Sequence, residues 1–373
     1  MPPPERILVC AISGRALAQS ARAAGFLPLV LDRFGDDDTR AVAECATVAA
    51  GAESPFSATS LLDAAASLAP PPVPLVYGSG FDGTPGLLAR LARNRELLGM
   101  EPAAVRRVKD PWSFAAACAR LGIPHPRISA ERPADPAGWL VKRRGGAGGS
   151  HVREAASAKR LAAADYFQRR VDGSAVSAAL LGDGRRCLVL AWSRQWQRPH
   201  GRGHYAGALF PAGLAAPLER TLRDAAVAIG ETCGVRGLGS ADFLVDEDGR
   251  FHLLEVNPRP GAALEAAELH FGTPLFGLHV AAARGRLPPS LPEPGPGAAA
   301  TEIVWADRDL TMPERFAWPE WAGDRTPAGV VLSRGDPAAT VRARAADAAA
   351  VRALLADRQA ALLRMLANTA RSA

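Results

Sequence analysis

The chain has 373 residues, 48% of them hydrophobic, and a mean hydropathy near zero; this describes a folded polypeptide too long for one ordinary core, built of two or three subdomains. A net charge of +6 raises nucleic acid as a partner, but the basic residues are dispersed and only three tyrosines are present, so composition points instead to acidic small molecules. No apolar run is long enough to span a bilayer, the start MPPPERILVCAISG lacks the pattern of a signal peptide, and five scattered cysteines form no CxxC, so a cytoplasmic protein without disulfides, zinc or membrane contact is expected.

In chain order, residues 6–11 (RILVCA) read as a buried parallel strand, 13–25 as a helix closed by Gly25, and 26–31 as a second strand ending at Asp32. A further strand at 74–77 leads into the loop GSGFDGTPG. These units predict an N-terminal α/β domain with a parallel sheet over 1–105. One glycine in AISGRA is no dinucleotide fingerprint. A core is predicted over 106–286. It opens with KDPWSFAAACARLGIPHPR, a helix of about fifteen residues ended by Gly122, followed by a strand at 139–142, the loop RRGGAGGSHV and helix-like sequence through Ala164. Strands follow at 166–171 and 175–181, then a GDGR turn and CLVLAWSRQW. Residues 215–232 have the pattern of an amphipathic helix. Residues 241–245 and 251–256 pair across the turn DEDGR. The Pro/Gly-rich stretch 287–300 reads as a linker, and 301–373 as a small accessory segment of short strands and a closing helix.

The second hairpin carries the chemistry. Glu255 and Asn257 are two residues apart on one strand and so share a face; a tight turn at Asp248-Gly249 brings Asp242 near Glu255. Two carboxylates and an amide oxygen make a hard-oxygen site suited to Mg²⁺ (or Mn²⁺) bound through phosphates. Arg259 adds a guanidinium beside the same phosphates. Only three of the 44 basic residues are lysines, Lys109, Lys142 and Lys159; in an arginine-rich chain a retained lysine marks a place for a compact ammonium.

The pattern D-x12-E-x-N-x-R-P-G at the end of a hairpin resembles the metal-binding signature of ATP-grasp enzymes. VKRRGGAGGSHV resembles that superfamily's second nucleotide lysine and glycine-rich flap, KDPWSFAAACARLGIPHP its first lysine and following helix, and FQRRVDG its adenine-binding hinge. Together these cover roughly residues 105–265 in the family's order. The resemblance implies an ATP-grasp fold: a parallel-sheet pre-grasp domain, a two-lobed ATP-binding core and a C-terminal accessory segment. It implies ATP held by Lys109 and Lys142, by Gly145, Gly146, Gly148, Gly149 and Ser150 of the flap, and by Gln168, Arg169, Val171 and Asp172 of the hinge. Mg²⁺ would sit on Asp242, Glu255 and Asn257, with Arg259 and Lys142 acting on the transferred phosphate. The hinge departs from the family in having Gln168 for glutamate and Ala175 where a ribose-binding acid often stands, with Asp172 as its substitute; Ser240 replaces an arginine of the D-alanine ligase branch.

The implied reaction activates a carboxylate as an acyl phosphate and passes it to an amine, releasing ADP and phosphate. Substrates would be small molecules, and a homodimer is common in the superfamily. Arg202, His204 and Tyr205, in the loop after CLVLAWSRQW, join Arg259 and Gly261 as candidate substrate residues; Asp32 and residues 81–84 are further candidates. His125, His252, His270 and His279 read as structural. The start ILVCAISGRALAQSARAAGF resembles tyramine– or tyrosine–glutamate ligases of one-carbon coenzyme biosynthesis, which implies glutamate as the acid and an aromatic amino compound as acceptor. The alternatives are a carboxylating enzyme using bicarbonate, a kinase that stops at phosphate transfer, and an idle nucleotide-binding module.

Overall fold

The computed structural model describes residues 3–52, 54–198 and 204–369. The N-terminal layer comprises β1 (Arg6–Cys10), α1 (Arg15–Ala23), β2 (Leu27–Asp32), α2 (Asp37–Arg40), β3 (Glu44–Thr47), α3 (Ala58–Leu68), β4 (Leu75–Tyr77) and α4 (Pro85–Leu91). Its strands form a parallel sheet in the order β3-β2-β1-β4. The apolar run of β1 is covered on both faces, with Ile7, Leu8, Val9 and Cys10 fully buried, as a central parallel strand requires.

The predicted fifteen-residue helix is two, α5 (Pro102–Lys109) and α6 (Pro111–Leu121). Asp110 breaks them apart: its backbone is extended, as a residue before proline prefers, and its side chain accepts a hydrogen bond from Ser113 N. Gly122 closes α6 in the left-handed conformation (φ 66°), as the sequence indicated. A small antiparallel sheet follows, β5 (Ile128–Ser129), β6 (Trp139–Arg143), β7 (Arg153–Glu154) and β8 (Asp165–Arg169), in the order β5-β8-β6-β7. The helix expected to run through Ala164 is absent among the described residues. Ala155 and Ala158 are buried with Trp139, Val141 and Phe167, and their carbonyls accept hydrogen bonds from the Arg132 guanidinium (2.8 and 2.9 Å) instead of from a helical ladder.

The rest is organised by one eight-stranded antiparallel sheet. Its members are β9 (Ser174–Asp183), β10 (Cys187–Gln197), β11 (Tyr205–Phe210), β12 (Arg236–Val245), β13 (Phe251–Asn257), β14 (Ala298–Trp305), β16 (Ala322–Gly323) and β18 (Pro337–Ala345), ordered β13-β12-β9-β10-β11-β14-β18-β16; β15 (Leu310–Thr311) and β17 (Val331–Leu332) pair separately. Helices α7 (Ala216–Cys233), α8 (Leu264–Phe271), α9 (Phe276–Ala283) and α10 (Ala348–Thr369) complete the chain. The segment after the Pro/Gly-rich stretch therefore continues the main sheet through β14 and β18, and Ala298, Ala299 and Ala300 of that stretch are strand residues. Among the described residues no helix is long and apolar enough to cross a membrane. Arg15 of α1 ties the layers together, binding Glu265 of α8 through both terminal nitrogens (2.5 and 2.7 Å) and Asp324 of the C-terminal segment (2.9 Å).

Candidate cation and phosphate site

The hairpin β12–β13 is the foundation of the site. Asp246 N donates to Arg250 O and Gly249 takes φ 78° in the turn, which sets the register so that Asp242 lies opposite Glu255 and Ser240 opposite Asn257. All four side chains leave one face. Ser177 on neighbouring β9 donates to Asp242 Oδ1 (2.5 Å), and Asn257 Nδ2 donates to Asp242 Oδ2 (2.8 Å) and to Ser240 Oγ (3.2 Å). Burial, and then the neighbouring Glu255 carboxylate, push Asp242 up from the ordinary carboxylate range to about 6.

Lys109, the last residue of α5, enters from the opposite side. Its Nζ donates to Glu255 Oε2 (3.0 Å) and Asn257 Oδ1 (2.8 Å) and stands 3.4 Å from Asp82 Oδ1. Burial disfavours the ammonium, but Glu255 and Asp82 outweigh it and raise Lys109 above its usual value. Glu255 is likewise disfavoured by burial and is held below its usual range by Lys109 and Lys142. Asp82, in the loop after β4, also meets Arg259 Nε (3.3 Å). Burial opposes its charge too, and the Arg259 and Lys109 cations prevail. Asp82 belongs to the 81–84 stretch that the sequence marked without assigning it a contact; a separation of 177 residues from Arg259 hides such a pairing from any local pattern.

The donor set fits a hard divalent cation. It offers oxygen ligands only, from Asp242, Glu255 and the Asn257 amide, which face one another across the hairpin register. Among the described residues no group of three or more His, Cys, Asp and Glu side chains is placed to hold a metal ion, so a cation held by these two carboxylates would need phosphate or water oxygens as its remaining ligands.

Facing the hairpin is the flap. Alternation along β6 puts Trp139 and Val141 in the small core and Lys142 on the other face, where it borders a cavity of about 40 Å³ together with Lys109, Gly145, Gly146, His151, Tyr166, His125, Leu254 and Glu255. Burial lowers Lys142 below the ordinary lysine value, offset in part by Glu255. Gly145 (φ 67°) rests on the N-terminal domain: a Cβ there would lie 2.4 Å from Gly83 Cα, so only glycine permits this approach. Gly148 O accepts from Tyr205 N (3.2 Å), which joins the flap to the start of β11. Gly148 and Gly149 both have positive φ (68° and 79°), and Ser150 is exposed.

Other candidates lie apart from the cavity. Gln168 is buried on β8 between Ile128 and Leu140, Arg169 reaches back to Trp139 (6.0 Å to the ring centroid), and the Asp172 side chain is 91% exposed beside Arg170. These three and Val171 do not border it among the described residues. Gly261 adjoins the Arg259 guanidinium. The His204 ring is 6.4 Å from that of Trp305, and Arg202 lies outside the described residues. Asp32 accepts from Gly14 N, Phe34 N and Gly35 N and so organises its own loop. His279 accepts from Leu238 N (2.8 Å), and His125 bonds Leu253 O through Nδ1 (2.8 Å), a structural contact for each, although His125 also borders the cavity. His151 and Tyr166 are cavity residues that the sequence did not single out as ligands.

Comparison with known proteins agrees with this geometry: the ATP-grasp domain pattern matches residues 108–263. These residues form an ATP-grasp domain. The chain is 45% identical over 53 residues to a D-alanine–D-alanine ligase of Dechloromonas aromatica, covering 14% of this chain and 18% of that one. It is 37% identical over 114 residues to the D-alanine–D-alanine ligase of Chromohalobacter salexigens, covering 28% and 35%; the matched segments thus span about a third or less of those relatives. In three dimensions, biotin carboxylase from Campylobacter jejuni, solved as a complex with β-γ-ATP, superposes over 93% of this chain and 89% of its own with a TM-score of 0.72. At 17% identity that likeness establishes the fold, with the ATP-grasp domain flanked on both sides by the elements described above.

Proposed function

We propose that the protein is an ATP-dependent ligase that activates a carboxylate as an acyl phosphate and joins it to an amine. The carrying observation is the convergence of Lys109, Lys142, Arg259 and the glycine flap on the face that displays Asp242, Glu255 and Asn257. Three cations and a backbone-rich loop suit a polyphosphate. Mg²⁺ held by Asp242, Glu255 and Asn257 would neutralise charge on the phosphate oxygens. Lys142 and Lys109, both compact ammonium groups, hold non-bridging oxygens, and Arg259 stabilises the charge that develops on the transferred group. The flap, seated on Gly83, keeps water from the acyl phosphate until the amine attacks. Phosphate then leaves, and the amide forms without a covalent enzyme intermediate. The segments shared with D-alanine–D-alanine ligases support ligation. The N-terminal stretch ILVCAISGRALAQSARAAGF supports glutamate as the acid and an aromatic amino compound as acceptor.

The test is release of ADP and phosphate from Mg-ATP in the presence of paired pools of amino acids and amines, with bicarbonate as a separate arm. Release that needs both an acid and an amine, and is lost in Glu255→Ala, supports the reading. Turnover with bicarbonate alone replaces it by a carboxylase, and failure to bind Mg-ATP sinks it.

A further inference from the structure

Helix α2 and the C-terminal segment enclose a separate pocket of about 480 Å³. Met312, Phe316 and Trp318 supply its apolar wall, and Asp37, Glu314 and Arg315 its charged rim. A volume of that order, apolar with a few polar groups, suits a small organic ligand. Among the described residues, none from the β12–β13 hairpin or the flap borders it. Its two walls are fastened to each other: Asp37 N donates to Arg325 O (2.9 Å), and Arg325 N donates to Asp38 Oδ1 (2.9 Å). The shape is therefore set before a ligand arrives.

Charge indicates the ligand's sign. Asp37 and Glu314 are exposed in the lining, and neither is taken up by an ion pair among the described residues. Arg315 is outnumbered by them. On either side of Asp37 in the chain the protein buries more acid. Asp36 Oδ2 and Asp38 Oδ2 lack hydrogen-bond partners, the latter standing 3.8 Å from Arg15 Nε. Burial pushes Asp36 up to about 8, and Asp324, Asp32 and Asp38 add to that against the pull of Arg15. The field around α2 is thus negative on balance, and a concave wall concentrates it. The rings of Phe316 and Trp318 meet edge to face, 4.6 Å apart at 71°, and aromatic faces attract cations as well as apolar groups.

We propose that this pocket is a second binding site, separate from the nucleotide site, for a small organic ammonium compound. The cationic nitrogen faces Asp37 and Glu314, and the apolar part of the ligand packs against Phe316, Trp318 and Met312. The site does not depend on the nucleotide reading, because it shares no residue with the hairpin or the flap.

Calorimetric titration of the full chain without nucleotide tests this, with phenethylamine as the probe and 3-phenylpropanoate as its counterpart of opposite charge on the same skeleton. The amine is expected to bind and the acid not to. Asp37→Asn and Trp318→Leu should each weaken the amine about 3-fold and the pair of changes together more, with the thermal midpoint of Asp37→Asn unchanged because that side chain is exposed. Mg-ADP affinity should be the same with and without saturating amine. No binding of phenethylamine overturns the proposal, as does equal binding of the acid, or an affinity that neither substitution alters. Competition between the amine and Mg-ADP also overturns it, by moving the amine to the nucleotide site. A protein that binds the amine but no Mg-ADP leaves this site standing and sinks the nucleotide reading instead.

Discussion

The two sides of the cavity are held in place by different means. On one side Asp242, Glu255 and Asn257 stand on paired strands inside an eight-stranded sheet, hydrogen-bonded to one another and to Ser177. On the other, Lys142 and the flap belong to a four-stranded sheet backed by the small cluster of Trp139, Val141, Ala155, Ala158 and Phe167. The first side is built before any ligand arrives, and a change there alters charge at fixed positions. The second is held by a few contacts, such as Gly145 on Gly83 and Gly148 O on Tyr205 N, and a change there is expected to loosen the seat of the loop.

Four measurements sharpen or break this contrast. The largest effect is expected from Glu255→Ala, which removes a charge from the fixed side: Mg-ATP turnover should fall by roughly 100-fold or more, with the thermal unfolding midpoint changed by only a few degrees. A collapse of the fold instead would mean that the Lys109–Glu255 pair is structural. Next comes Lys142→Arg. The planar guanidinium cannot take the place of a compact ammonium in so small a cavity, so nucleotide affinity should drop on the order of 10-fold; unchanged affinity would detach Lys142 from the phosphates. Third is Gly145→Ala. A left-handed alanine costs about 1–2 kcal/mol and collides with Gly83, so the flap should stay open, seen as faster proteolysis between 144 and 152 with little change in global stability. If protease resistance is unaltered, the flap is not held by that contact.

The smallest effect is a pH dependence on the fixed side. Asp242 is raised to about 6, so the folded protein binds its proton more tightly than the unfolded chain does. The protonated form then stabilises the fold at low pH, and that contribution is lost as pH rises through about 6. In EDTA, Asp242→Asn should melt higher than wild type at pH 7 to 8, with the gap closing toward pH 4. Mg²⁺ should stabilise the wild type most at the upper end of that range. A gap that is constant with pH would remove the Asp242–Glu255 repulsion from the account.

The same contrast decides what was legible in the sequence. The hairpin could be read because its information is local: alternation puts Glu255 and Asn257 on one face, and the DEDGR turn fixes the register that brings Asp242 opposite Glu255. The parallel strands of the N-terminal layer and the end of α6 at Gly122 were equally plain. The stretch REAASAKRLAAAD has helical composition, yet its alanines pack onto Trp139 and its carbonyls bond to Arg132; tertiary contacts override propensity there. Asp82 was marked only as part of the 81–84 loop, and His151 only within the flap motif VKRRGGAGGSHV, with no partner assigned to either. Each matters through partners brought from other parts of the chain, Lys109 and Arg259 for one and the Lys142 cavity for the other.

The sheet that carries the β12–β13 hairpin at one edge also carries β14 and β18, from beyond the Pro/Gly-rich stretch, toward the other. Arg15, near the start of the chain, is clasped by Asp324 near its end. Dividing the protein at residues 287–300 would therefore not release an independent module. It would strip β14 from β11, leaving residues 205–210 as an unpaired edge with four buried apolar side chains at Ala206, Ala208, Leu209 and Phe210, and would take from Arg15 one of its carboxylates. A bare edge of that kind recruits other chains, so the shortened protein would be lost to aggregation before its chemistry could be assayed.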